Sequence, residues 1–182
     1  YTHEHKDHTA GLDDVRSFNF AQKSDMPIYA REHVLDQIKR EFAYAFAEEK
    51  YPGVPRIKTH VIENNHFSLD DLDITPIEVM HHKLPVFGFR IGDFTYITDA
   101  NHIPGIELEK MKGTRVLVLN ALQKTEHISH FTLDEAIEMV AKIQPEQAYF
   151  THISHKLGRH QEVSKELPEN VFLAHDGLKI EI

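Results

Sequence analysis

The pattern of apolar and polar positions along the chain predicts helices and strands in alternation. Between Arg31 and Glu49, Val34, Leu35, Ile38, Phe42 and Phe46 recur at three- and four-residue steps, the stripe of one amphipathic helix. Pro52-Gly53 and Pro55 end it. Ile57 to Ile62 then alternates as a strand does. Ile74 to Val79, Phe87 to Ile91 and Phe94 to Thr98 read as three more strands, the last two joined at Gly92-Asp93. Unbroken aliphatic character makes Val116 to Leu119 a buried strand. Thr132-Leu133-Asp134-Glu135 has the form of a capping box, after which Ala136, Ile137, Val140, Ala141 and Ile143 continue one helical face. Ala148 to Phe150 is a strand leading into Thr151-His152-Ile153-Ser154-His155. Val171 to Ala174 and Leu178 to Ile182 are expected to finish the fold as strands, with Asp176-Gly177 as their turn. The stretch from His8 to about Met26 reads as a polar segment. With no repeat and no linker in view, residues 1–182 are expected to form a single α/β domain.

Composition narrows the chemistry. The 182 residues hold 20 Lys and Arg against 29 Asp and Glu, a net charge of −9, which argues against a surface that tracks nucleic-acid phosphates. The absence of cysteine excludes disulfide scaffolds, thiolate-held zinc and cysteine nucleophiles from this stretch of chain. The longest aliphatic run, Val116 to Leu119, is far below the roughly 20 residues a membrane-spanning helix needs, so no membrane partner is expected and a cytoplasmic setting is. Histidine, with 15 residues, is in excess, and its ring suits metals and proton transfer better than it suits packing.

The excess concentrates at the start, in Thr2-His3-Glu4-His5-Lys6-Asp7-His8. Four ligand-type side chains within six residues need a loop or a tight turn to aim them at one place. Extended backbone would put His3, His5 and Asp7 on one side and send His8 elsewhere, which suits two metal ions better than one. Imidazole and carboxylate donors suit Zn(II), Mn(II) or Fe(II). The competing reading, a solvated histidine-rich loop or a tag remnant, is weakened by the interposed Asp7.

Thr-His-x-His-x-Asp-His resembles the signature of the metallo-β-lactamase superfamily of binuclear hydrolases. The superfamily's later blocks also have counterparts in order. His81 follows the strand from Ile74, Asp99 ends Tyr96-Ile97-Thr98-Asp99, and His152 follows Ala148 to Phe150. The resemblance implies an αββα sandwich and two divalent ions, Zn or Mn. One would be held by His3, His5 and His81, the other by Asp7, His8 and His152, with Asp99 bridging. The chain opens in mid-motif without Met, so the first N-terminal strands of that fold are expected to lie upstream. Within the superfamily, His81-His82-Lys83-Leu84 with Phe87-Gly88-Phe89, His130-Phe131-Thr132-Leu133-Asp134-Glu135-Ala136 and Thr151-His152-Ile153-Ser154-His155 resemble the PhnP-type phosphodiesterases, which open a phosphoribosyl cyclic phosphate. That likeness implies His130 as a catalytic proton donor or phosphate contact. It also implies His155 as a structural zinc ligand beside three N-terminal cysteines that this chain does not contain.

The expected activity is therefore hydrolysis of a small, cyclic phosphodiester, by water made acidic between two cations, with His130 protonating the leaving alkoxide. An RNase-Z-like nuclease, a thioesterase of the same superfamily and a non-catalytic metal-binding module are the alternatives. A basic RNA-holding arm and a C-terminal substrate domain, which the first two would need, have no counterpart here. The partner expected is the small substrate, with a homodimer left open. His82 and His102 read as bystanders near the cleft, and His127 shares a loop with His130. His33, His60, His66, His160 and His175 have no ligand partner at useful spacing.

Overall fold

Two parallel strands, β1 (Met26–Ala30) and β2 (Ile57–Val61), pair Ile28 with Thr59 and Ala30 with Val61. They belong to the first of two compact units, Tyr1–Glu63 and Asn64–Ile182, in a computed structural model that describes all 182 residues. Parallel neighbours need a crossover, and the predicted amphipathic stripe supplies it. Val34, Leu35, Ile38, Phe42 and Ala45 form a core with Leu12, Ile28 and Ala30. The stripe is not one helix, however. Phe42, at φ −108° and ψ 38°, separates α3 (Glu32–Glu41) from α4 (Ala43–Phe46). The run Phe42-Ala43-Tyr44-Ala45-Phe46 is rich in aromatic residues of lower helix propensity than the Gln, Lys, Arg and Glu before it.

The segment read as polar is mostly helical: α1 (Lys6–Thr9), a 3₁₀ stretch (Ala10–Val15) and α2 (Arg16–Gln22), closed by Lys23 in the left-handed region at φ 54°. Asn19 on α2 is buried. Its amide donates to the carbonyls of Ser24 and Arg56 at 3.0 and 2.9 Å, and its oxygen accepts from the Arg56 N–H at 2.8 Å. A side chain with all three bonds made in the interior fixes the helix end against the approach to β2.

The second unit is built on one sheet, in the order β3 (Phe67–Leu69), β4 (Leu72–His81), β5 (Leu84–Ile91), β6 (Phe94–Ile97), β7 (Val116–Asn120), β8 (Gln147–Thr151) and β9 (Val171–Leu173). Pairing is antiparallel from β3 to β6 and parallel from β6 to β9. The parallel strands are joined through α5 (Gly105–Lys110), α6 (Leu133–Ile143) and α7 (His160–Val163). Ile77, Val79, Val86, Ile97, Leu117, Leu119, Ala148 and Phe150 bury one core with Ala136, Met139 and Val140 of α6. The capping box at the start of α6 is formed, with Thr132 Oγ1 accepting from the Glu135 N–H at 3.2 Å and the Thr132 N–H donating to Glu135 Oε2 at 2.8 Å. Gly88 on β5 lies so close to β6 that a Cβ would stand 2.7 Å from Ile97 Cγ1 and 2.9 Å from the Tyr96 carbonyl oxygen.

The final strand expected over Leu178 to Ile182 is absent. The Leu178 N–H donates to the His175 carbonyl at 3.1 Å, closing a turn, and the chain beyond it finds no strand to pair with. Alternation alone cannot make a strand without a neighbour. No helix is long and apolar enough to cross a membrane.

The topology already gathers chemistry at one edge. β4 and β6 are each antiparallel to β5 and so run the same way, and β7 and β8 run parallel to β6. The carboxyl ends of four strands thus share one edge, which is where open α/β sheets place their ligands.

Candidate metal centre

In the first unit, the histidine motif turns from extended chain into helix. His5 is extended at φ −63° and ψ 146° and precedes α1, and the His8 N–H donates to the His5 carbonyl at 3.0 Å. His3 is buried, its ring 4.6 Å from that of His5 and 4.3 Å from that of His8 between centroids, with Thr2 Oγ1 3.0 Å from its Nδ1. Asp7 sits inside α1 instead of continuing the extended alternation, and its Oδ2 lies 3.4 Å from His8 Nε2. The tight turn expected from the density of donors is therefore present, with three imidazoles grouped.

In the second unit the sheet edge carries the rest. His81 ends β4, Asp99 follows β6 by two residues, and His152 follows β8 by one. Asp99 Oδ1 accepts from His130 Nε2 at 2.8 Å and lies 3.1 Å from His152 Nε2, while its Oδ2 accepts from the Thr98 hydroxyl at 2.7 Å. The His130 ring stacks on His152 at 4.8 Å and 16°, and meets His81 edge-on at 4.7 Å and 73°. His81 Nδ1 donates to the Ser129 carbonyl at 2.9 Å, which sets the tautomer that has its lone pair on Nε2. One donor atom each from His81, Asp99 and His130 lie within 4.8 Å of one another. Imidazole and carboxylate donors such as His81 and Asp99, with no thiolate, suit a divalent cation of the zinc or manganese type, while His130 turns its Nε2 to Asp99.

The backbone at two of these positions is strained. Asp99 at φ 56° and His152 at φ 53° both occupy the left-handed region, at about 1–3 kcal/mol each. Asp and His tolerate it better than most side chains. A conformation of this kind persists only where the surroundings over-determine it, and around Asp99 they do. Asn120, buried at the end of β7, accepts from the Ala100 N–H at 2.8 Å and donates to the Ala100 carbonyl at 2.9 Å. The Phe131 N–H donates to that same carbonyl at 2.7 Å, tying the loop before α6 to the residue after Asp99.

Sequence reasoning missed Asn120, Thr98 and Ser129. Only the first left a signal, a polar residue closing the apolar run Val116-Leu117-Val118-Leu119. His127, three residues before His130 on the same loop, has its Nδ1 3.2 Å from His130 Nδ1. Burial, then the neighbouring His130 and Lys156 charges, hold its pKa below the usual histidine value. His82 takes the left-handed position (φ 57°) of the tight turn between β4 and β5, and His102 bridges to Met80, so both serve the backbone. His155 lies in an exposed turn and in none of the donor clusters.

These features have relatives. Residues 1–153 match the β-lactamase superfamily domain. A crystal structure of a new diphosphatase from the PhnP family is 36% identical, superposes with a TM-score of 0.91, and is covered over 70% of its length by the whole of this chain. Human tRNase Z, short form, shares the fold at 20% identity and TM-score 0.70, this chain covering 77% of it. Zinc-bound PqqB from Methylobacterium extorquens does so at 17% and 0.74, with 71% covered. Among curated proteins, an octanoyltransferase of Porphyromonas gingivalis is 36% identical over 180 residues, 98% of this chain, and the chain spans 36% of that protein's length. The chain therefore belongs to the metallo-β-lactamase superfamily and, within it, stands with the PhnP group.

Proposed function

We propose that the protein is a metal-dependent hydrolase that cleaves a P–O bond in a small phosphodiester, using two divalent cations. His3, His5 and His81 would hold one ion, Asp7, His8 and His152 the other, and Asp99 would bridge them. When bound, such ions supply a Lewis acid for the phosphoryl oxygens and acidify water at neutral pH. His130 is the proton donor to the departing alkoxide. The observation that carries this reading is the place of His130, whose Nε2 is 2.8 Å from Asp99 Oδ1 while its ring stacks on His152. An imidazole buried against a carboxylate and held on two sides is a positioned acid. Asp99 serves as ligand and as the anchor of that imidazole.

A diphosphate substrate is the second reading, favoured by the 36% identity to the PhnP-family diphosphatase. It keeps the same residues in the same roles and changes only the leaving group, from alkoxide to phosphate. Acyl transfer finds less support: nearly two thirds of the octanoyltransferase lies outside the match, and this chain has no cysteine to carry an acyl group as a thioester.

The deciding experiment is a panel assay of the metal-loaded protein on a cyclic phosphodiester, bis(p-nitrophenyl) phosphate, a diphosphate ester and an octanoyl thioester. Turnover of the phosphates, with a loss of roughly 100-fold in His130→Ala at unchanged metal content, is the expected result. Turnover of the thioester alone would overturn the proposal.

A further inference from the structure

His130 is held at both ring nitrogens, by Asp99 on one edge and by His127 and Ser129 on the other. On one edge Nε2 meets Asp99. On the other, Nδ1 faces His127 Nδ1 at 3.2 Å and the Ser129 hydroxyl at 3.0 Å. His127 is itself located from below, with its Nδ1 3.4 Å from the Ser129 N–H and 3.5 Å from the Ser129 hydroxyl. The two rings stand 5.0 Å apart at 58°.

The loop that carries His127 is braced along its length. Gln123 Nε2 donates to the Thr125 carbonyl and hydroxyl at 3.1 Å each, Asn101 Nδ2 donates to the Ile128 carbonyl at 3.1 Å, and the Leu122 N–H donates to the Phe131 carbonyl at 3.0 Å. Half-buried, three residues before His130, His127 therefore arrives as a fixed partner and not as a surface side chain that happens to be near.

We propose that His127 is the positioning residue for His130, locking the imidazole in the one orientation that presents Nε2 to Asp99 and the reacting centre. This rests on the reading of His130 given above. The second torsion of a histidine side chain is broad and roughly two-fold, so two ring orientations differing by a half-turn compete. In the flipped ring Cε1 replaces Nε2 against Asp99, and Cδ2 replaces Nδ1 against His127. A polar partner on the Nδ1 side penalises that flip because a carbon there leaves His127 Nδ1 and the Ser129 hydroxyl facing a group that cannot bond. Removing His127 halves the lock, and a donor misplaced by about 1 Å can cost up to roughly 100-fold in rate.

The contact is made through Nδ1, which gives the test its selectivity. The amide of asparagine places a polar atom where histidine Nδ1 stands, and the amide of glutamine reaches instead toward the Nε2 position. In the metal-loaded protein acting on bis(p-nitrophenyl) phosphate, His127→Ala should lower kcat by roughly tenfold or more with KM little changed. His127→Asn should recover most of that loss and His127→Gln should not, with metal content and melting temperature held throughout. A crystal structure of His127→Ala without metal should show the His130 ring spread over more than one orientation or drawn off Asp99. A kcat for His127→Ala within about threefold of the parent, rescue by Gln equal to that by Asn, or an unmoved His130 ring would each overturn the assignment. If the parent hydrolyses no phosphate substrate, the reading of the whole site falls. If His130→Ala is slow while His127→Ala is not, only this inference does.

Discussion

Asn120 and Ala100, twenty residues apart in sequence, form a closed two-bond bracket in which the Asn120 amide satisfies both the N–H and the carbonyl of the residue after Asp99. A side chain here imitates the neighbouring strand that the backbone has lost on leaving β6. It sits at the position where the left-handed turn at Asp99 must be held.

Replacing Asn120 with Leu, similar in size and unable to bond, would take from the buried Ala100 N–H its Asn120 acceptor, while the Ala100 carbonyl keeps the Phe131 N–H. At about 1–3 kcal/mol for one unsatisfied group, a loss of roughly 1–3 kcal/mol is expected in denaturant unfolding. Metal uptake should weaken alongside, because Asp99 loses the support of its conformation. A loss below about 0.5 kcal/mol, the level of an indifferent surface change, would show that the bracket holds nothing.

Gly88 makes a second structural test. The methyl group of an alanine there would come within 2.7 Å of Ile97 Cγ1 and 2.9 Å of the Tyr96 carbonyl oxygen, a packed side chain and a strand backbone, neither of which can yield cheaply. Gly88→Ala should therefore destabilise by about 1–3 kcal/mol, the usual scale of overpacking, despite alanine's better fit to a regular strand. Thermal unfolding against the parent decides it, and an unchanged or raised melting temperature would contradict the close approach of β5 to β6.

Glu107 on α5 supplies a pH test away from the metal centre. Its carboxylate is buried, accepting from the Glu78 N–H at 2.9 Å, from Asn64 Nδ2 at 2.9 Å and from Lys110 Nζ at 2.8 Å. Burial alone would push its pKa up. The Lys110 ammonium and the two N–H donors outweigh that and hold it below the ordinary value of 4.5. A carboxyl whose folded pKa is depressed adds stability above its unfolded pKa and loses it as pH falls through the folded one. The stability advantage of the parent over Glu107→Gln should accordingly be constant near neutrality and shrink below about pH 4.5. An advantage that stays constant down to about pH 3 would mean the ion pair contributes nothing as a charge.

How much of this was legible in sequence depended on whether the signal was local. Val116 to Leu119 and the capping box at Thr132 declare themselves in consecutive residues, and the structure forms both. The ligand-type residues were legible because a dense His-x-His-x-Asp-His run is chemistry written in order. α1 and α2, four and seven residues long, bury only Thr9 and Asn19 and so show no apolar stripe to find. β1 is short and interrupted by Pro27, which lowers its strand signal. Asn120 and Ser129 meet Ala100 and His81 through the sheet topology, and no spacing within their own segments announces this, whereas His127 meets His130 three residues on in its own loop. Leu178 to Ile182 failed in the opposite way, with a pattern present and no strand to receive it.

Metal removal tests the centre as a thermodynamic object, independent of any substrate. An ion bound by the folded chain and not by the unfolded one stabilises by about 2.7 kcal/mol when free metal is 100-fold above its dissociation constant. For a chain of this length that corresponds to a melting temperature roughly 5–10 °C higher with zinc or manganese than with a chelator. Asp99→Asn should remove most of the shift, since Asp99 is the carboxylate at the centre of the second unit's donors and accepts from His130 as well. His155→Ala should keep all of it, because His155 stands in an exposed turn outside the donor clusters. A shift that survived Asp99→Asn and vanished with His155→Ala would move the metal to the structural site that the PhnP likeness implies and away from the sheet edge.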